Sequence, residues 1–233
     1  MATIMLCVMK IKLFTIPNLI TCLNLLMGCA ALMSAFRGDL MCAFWFLVAA
    51  AGFDFLDGFF ARLLKQYSDV GKELDSLADV VSFGVVPAVV MWKMMSLTQC
   101  TTCEYMPLLG LLIAPMSALR LAKFNIDDRQ VSEFIGLPTP ANALFITSLP
   151  FLGFEIPWWV LCALTVLMSW LLVSEVPMFS LKFKGFGFGQ NKLRYLFLIF
   201  VAVVVAVCGV AAVAYVMITY VVVSVVRNMI TRK

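Results

Sequence analysis

The sequence predicts an all-α protein: a polytopic integral membrane helical bundle of about eight transmembrane helices with a short N-terminal interfacial helix. Three observations predict it. Of the 233 residues, 64% are apolar and only 13% charged, far from the mix of a soluble domain. Several runs of about 17 or more apolar residues are long enough to cross a hydrocarbon core of roughly 30 Å. The Lys and Arg residues fall between those runs in a one-sided pattern. No polar stretch is long enough to fold separately, so residues 1–233 read as a single membrane-embedded domain. The net charge of +4 is dispersed over short loops, which argues for membrane topology and against a nucleic-acid partner.

Residues 1–15 are apolar with Lys10 and Lys12 at the far end. A secretory leader carries its charge first and then a small-residue cleavage site, so this stretch reads as an interfacial helix leading into the bilayer. Span 1 covers about 16–36, with Pro17 suited to its first turn. Asn18, Thr21 and Asn24 recur at three-residue spacing and make a polar stripe on it, the pattern of interhelical hydrogen bonding. Span 2 covers about 40–64, span 3 about 71–97, span 4 about 105–124, span 5 about 141–154 and span 6 about 157–173. A basic, glycine-rich loop with Lys182, Lys184 and Lys192 follows. The last apolar run, 195–226, would reach about 48 Å as one helix, so a hairpin turning near Cys208 and Gly209 fits better. With eight spans and both termini on the cytoplasmic side of a prokaryotic membrane, all of the 17 Lys and Arg except Arg37 and Lys93 lie inside.

One stretch, residues 54–79, breaks the apolar pattern. It reads DFLDGFFARLLKQYSDVGKELDSLAD. A charge at a membrane helix centre costs roughly 2.5–3.5 kcal/mol on insertion scales, so Asp54, Asp57, Asp75 and Asp79 need a compensating partner. At about 100° per residue, Asp54, Asp57, Gly58, Ala61 and Lys65 share one helix face, with Arg62 at its margin. After a polar turn around Tyr67, Ser68 and Asp69, a second segment puts Gly71, Asp75 and Ser82 on one face and Asp79 at its edge. A hairpin would bring the two faces together. Oxygen ligands with no histidine in the chain suit a hard cation, Mg²⁺ or Mn²⁺. Asp54, Asp57 and Asp75 are the natural ligands, and Asp79 is placed to join them. Gly58, Ala61 and Gly71 are small enough for a ligand or a second helix to approach the backbone, and Arg62 offers a planar fork to phosphate. Pairing of the acids with Arg62, Lys65 and Lys72 is the purely structural alternative.

The pattern Asp54-x2-Asp57-Gly58-x2-Ala61-Arg62-x8-Gly71-x3-Asp75-x3-Asp79 resembles the full signature of the CDP-alcohol phosphatidyltransferases. That resemblance implies that Asp79 acts as the general base on an incoming alcohol, and that Gly58, Ala61, Arg62 and Gly71 line a CDP pocket. Pro17-Asn18-x2-Thr21-x2-Asn24 resembles the phosphatidylserine synthase branch, which implies that Asn18 faces the nucleotide. Three more stretches resemble that branch: Arg120-Leu-Ala-Lys123-Phe-Asn125, Phe134-Ile-Gly136-Leu-Pro138-Thr-Pro140 and Ser174-Glu-Val-Pro177-Met-Phe-Ser180. Together the matched stretches cover about 16–185. They imply CDP-diacylglycerol and L-serine as substrates, a homodimer, and Arg120, Lys123 and Asn125 at the acceptor. Lys123 stands where the branch more usually has a second arginine, so the charge is kept and the planar fork is lost. Glycerol 3-phosphate or an inositol phosphate as acceptor would want a denser basic pocket. A divalent-cation transporter is the reading from another class, although Arg62 would repel its cargo.

Eight cysteines do not change this picture. Cys7, Cys22, Cys29, Cys42, Cys162 and Cys208 sit in apolar sequence, where cysteine behaves as a small hydrophobe. Cys100-x2-Cys103 lacks the second pair or histidines of a zinc site, and a disulfide there stays open.

Overall fold

Thr15 starts the first helix of the computed structural model: its hydroxyl accepts the backbone N–H of Asn18 at 3.3 Å, and Pro17 occupies the first turn. The structure describes residues 13–98, 104–127, 134–178, 204, 206–207 and 209–231. The expected interfacial helix, Cys100 and Cys103, the basic loop with Lys182, Lys184 and Lys192, and the turn at Cys208 lie outside them.

Helix α1 (Ile16–Arg37) ends at Gly38, whose φ of 85° and paired N–H bonds back to Ala35 and Ser34 form a left-handed cap. Asp39 then caps α2 (Leu40–Leu63) by accepting the N–H of Cys42. Helix α2 closes with the same motif: Lys65 donates to the Arg62 carbonyl and Gln66 to that of Ala61, with Lys65 itself at φ 52°. Lys65 is the only non-glycine with positive φ among the described residues. Ser68 caps α3 (Asp69–Asp79) through the N–H of Gly71. The cap starts this helix two residues before the span boundary expected at Gly71.

Helix α3 runs without a break into a π-helical segment, Val80–Val85, and then into α4 (Val86–Leu97). A 3₁₀ segment, Met106–Leu112, leads into α5 (Ile113–Ile126). Helix α6 (Thr139–Ser148) begins on Pro138 and Pro140 and tightens into 3₁₀ at Leu149–Phe151, so this helical stretch starts earlier and ends sooner than the expected 141–154. Helix α7 is Trp158–Val173, and after a 3₁₀ turn at Gly209–Ala211 the chain ends in α8 (Ala212–Thr231). Extended pairing among the described residues is confined to a two-residue antiparallel ladder, Phe134 with Met178 and Ile135 with Pro177. Gly136 is required there: at φ 77°, an added Cβ would lie 2.9 Å from the carbonyls of Leu172 and Ser174.

Four helical stretches among the described residues are long and apolar enough to cross a membrane: Ile16–Arg37, Leu40–Leu63, Asp69–Leu97 and Met106–Ile126. Trp158–Val173 and Gly209–Val221 are shorter apolar helices. The chain is therefore a helical membrane protein. Its apolar side chains point both ways, as a lipid solvent allows. Leu26, Trp45, Phe55 and Trp159 are exposed on the outside, while Phe83, Val86, Leu47 and Ala143 pack α1, α2, the π segment and α6 together. Met91, Ile113, Phe145, Leu161 and their neighbours form a second core between α4, α5, α6 and α7.

Helices α1 and α2 share the most extensive contact, and the α3–π–α4 rod crosses α1. That crossing is close because Gly28 has no side chain: a Cβ there would overlap the hydroxyl of Ser82. Gly110 permits a similar approach to the backbone of Trp92. Small residues at helix crossings are how membrane bundles gain packing when lipid is as apolar as the protein interior.

Candidate active site

The turn between α2 and α3 reverses the chain, so the end of one helix and the start of the next face each other. Asp54 and Asp57, one turn apart near the end of α2, meet Asp75 on α3. Carboxylate oxygens of these three lie within 4.8 Å of one another. Asp79, one turn further along α3, also interacts with the Asp54 side chain. Asp57 and Asp79 are buried, at 7% and 8% exposure.

The first helix closes the site from behind. Thr21 Oγ1 donates to Asp57 Oδ2 at 2.6 Å, and Asn24 Nδ2 donates to Asp79 Oδ1 at 3.2 Å. Ser82, inside the π segment, donates in turn to the Asn24 carbonyl at 3.3 Å. A π segment changes the helix phase at the residue after Asp79, and Ser82 is the residue it seats against α1. The polar stripe of α1 thus spends two of its three members on the carboxylates. Asn18, the third, is buried and donates to the Leu13 carbonyl at 2.9 Å. Its Oδ1 occupies the space a Cβ on Gly71 would need, at 2.9 Å.

Among the described residues, no Lys or Arg comes within salt-bridge distance of the four aspartates. Lys72 donates instead to the Asn125 carbonyl at 2.9 Å, and Arg62 and Lys65 are exposed. The purely structural pairing of these acids with Arg62, Lys65 and Lys72 is therefore not what the geometry contains. One oxygen of Asp75 is buried with no hydrogen-bond partner. Converging carboxylates with an orphaned oxygen and no cation at salt-bridge distance among the described residues fit a hard divalent cation, which would meet the cost of burying them together.

Around this centre the other predicted residues separate. Gly58 faces open space: a methyl group added at its Cα would meet nothing within 4 Å. Ala61 is half-buried and Arg62 exposed beside it. Arg120 is 7% exposed and lies in electrostatic range of Asp79. Its Nη1 donates to Thr139 Oγ1 at 2.8 Å and its guanidinium stacks 5.1 Å from the Phe124 ring centre, while its Nε has no partner. Lys123 turns away into an ion pair with Glu175 at 3.3 Å. Asn125 Nδ2 donates to Ser76 Oγ at 2.7 Å, tying the end of α5 to α3. Sequence reasoning does not single out Thr21, Asn24, Thr139 or Glu175 as site residues. The three-residue stripe on α1, the Phe134–Pro140 stretch and the Ser174–Ser180 stretch are the signals that contain them.

The fold and site define a class: a helical membrane protein with a carboxylate centre suited to a hard cation at the meeting of two helix ends. Comparison with known proteins narrows it. The model of the CDP-alcohol phosphatidyltransferase family matches residues 14–173, and the chain belongs to that family. It is 34% identical over 165 residues to the CDP-diacylglycerol–serine O-phosphatidyltransferase of Bacillus subtilis, covering 69% of this chain and 88% of that one. The protein of the same name from Methanocaldococcus jannaschii is 34% identical over 166 residues, covering 71% and 74%. The archaetidylserine synthase of Methanothermobacter thermautotrophicus is 34% identical over 142 residues, covering 60% and 59%.

Proposed function

We propose that this enzyme transfers the phosphatidyl group of CDP-diacylglycerol to the hydroxyl of L-serine, giving phosphatidylserine and CMP. The observation that carries the reading is the convergence of Asp54, Asp57 and Asp75 beside Asp79 and Arg120, in a chain whose relatives bear the serine transferase name.

In this reading Asp54, Asp57 and Asp75 hold Mg²⁺ or Mn²⁺, with Asp79 at the edge of that set. The cation, when bound, offsets the charge of the diphosphate and of the departing CMP. The open face at Gly58 and Ala61, with Arg62 beside it and Asn18 and Gly71 across the cleft, receives the CDP group. Asp79 takes the proton of the serine hydroxyl as its oxygen bonds to the phosphatidyl phosphorus. The bond that breaks is the one from that phosphorus to the CMP oxygen. Arg120 directs its free Nε to the serine carboxylate, while Thr139 and Phe124 hold the guanidinium in place. Lys123 is engaged by Glu175 and Asn125 by Ser76, so both serve the acceptor site by positioning α5. With one guanidinium, Arg120, in electrostatic range of Asp79, the site favours an amino-acid carboxylate over the doubly charged phosphate of glycerol 3-phosphate or an inositol phosphate.

Supporting features extend this to the whole chain. Residues 1–233 form one domain of eight spans, with both termini and the site on the cytoplasmic side, as the distribution of Lys and Arg favours. The working unit is a homodimer. CMP release by the purified protein, with CDP-diacylglycerol and serine, glycerol 3-phosphate or inositol phosphate offered separately, tests the reading. Release with serine supports it, and release with another acceptor alone discards the serine site. Metal flux through proteoliposomes in place of any CMP release would favour the transporter.

A further inference from the structure

The four carboxylates are held differently. Asp57 is bound by a threonine, Asp79 by an asparagine, and Asp54 and Asp75 have no neutral side-chain donor among the described residues. Asp79 also stands outside the trio whose oxygens converge within 4.8 Å. The side chain that holds it, Asn24, is fully buried. Its amide nitrogen faces the carboxylate, because the reverse orientation would set two acceptors against each other. Its Oδ1 is left buried without a partner, an arrangement that leaves an acceptor stripped of water and unpaired. The backbone around it is fixed as well: Ser82 donates to the Asn24 carbonyl, and Gly28 one turn on lets Ser82 come that close. A residue serving only to glue α1 to α3 has no need to leave its own acceptor unsatisfied.

We propose that Asn24 is the positioning residue for Asp79: its amide fixes one carboxylate oxygen against α1, so that the other is presented to the acceptor hydroxyl from beside the Asp54–Asp57–Asp75 trio. This rests on the reading of Asp79 as the general base. Asn24 touches no substrate. It acts through the orientation of Asp79, and its loss leaves that carboxylate free to rotate away from the acceptor.

The test compares the full-length protein with Asn24→Ala, Asn24→Asp, Asp79→Asn and Asp54→Asn. Steady-state kinetics are read together with Mn²⁺ binding to the substrate-free protein by electron paramagnetic resonance. Asn24→Ala is expected to lower kcat about 10–100-fold, the usual effect of losing an orienting partner, with KM for serine and for CDP-diacylglycerol within about 3-fold of wild type. Its Mn²⁺ affinity stays at or above the wild-type value, whereas Asp54→Asn weakens Mn²⁺ binding. Asn24→Asp keeps the shape but removes the donor, and its kcat falls likewise, so the test survives if the alanine variant does not fold. Unchanged kcat in both Asn24 variants, or a fall in Mn²⁺ affinity matching the fall in kcat, overturns the proposal. Activity retained in Asp79→Asn would instead overturn the general-base reading, which keeps the two failures apart.

Discussion

Thr21 shows how much one hydroxyl can matter in this site. Its hydrogen bond to Asp57 orients a carboxylate that is largely withdrawn from water. Thr21→Val keeps the shape and removes the donor. It is expected to weaken Mn²⁺ binding about 10-fold, read by titration of the substrate-free protein; unchanged affinity would place the bond outside the metal site. Gly58 makes the opposite test. A methyl group there meets nothing within 4 Å, so Gly58→Ala should leave the thermal midpoint unchanged while raising KM for CDP-diacylglycerol severalfold. A normal KM in that variant would remove Gly58 from the nucleotide pocket.

At the scale of elements, the turn from α2 to α3 decides whether the two acidic faces meet. It depends on Lys65 in the left-handed region at φ 52°, a position that glycine fills without strain. Lys65→Gly is expected to stabilise the protein by about 1 kcal/mol, seen as a higher thermal midpoint in detergent. Gly28→Ala should lower that midpoint, because the added carbon overlaps Ser82 at the crossing of α1 and the π segment. The helical spacing of Asp54, Asp57 and Asp75 was legible in the sequence, since period and polarity alone place them on facing surfaces. The π segment was not, because Val80-Val-Ser-Phe-Gly-Val85 carries no local signal that separates it from α-helix; the contact it makes, Ser82 with α1, is a tertiary one. Nor was the engagement of Lys123. A basic residue beside a site reads as a ligand for an anion until the partner, here Glu175 from 52 residues on, is brought to it by folding.

For the whole molecule, hydropathy made the helical membrane architecture legible, because only helices with internally satisfied backbones can be this apolar and span lipid. Boundaries were less so. The Ser68 cap and the prolines Pro138 and Pro140 start two of them a pair of residues early, and sequence hydropathy registers neither a capping hydroxyl nor a proline-set first turn. The proposed topology has its own test: a green fluorescent protein fused after Lys233 fluoresces if the C-terminus is cytoplasmic and stays dark if it is exported. The central claim, that the carboxylate centre moves a phosphatidyl group onto serine, is tested most directly by its product. The purified protein is given CDP-diacylglycerol, Mn²⁺ and isotopically labelled serine, and the lipid fraction is read by mass spectrometry. The account predicts labelled phosphatidylserine formed in step with CMP, and none with Asp79→Asn. CMP released without label entering lipid, or labelled lipid formed equally by the variant, would contradict it.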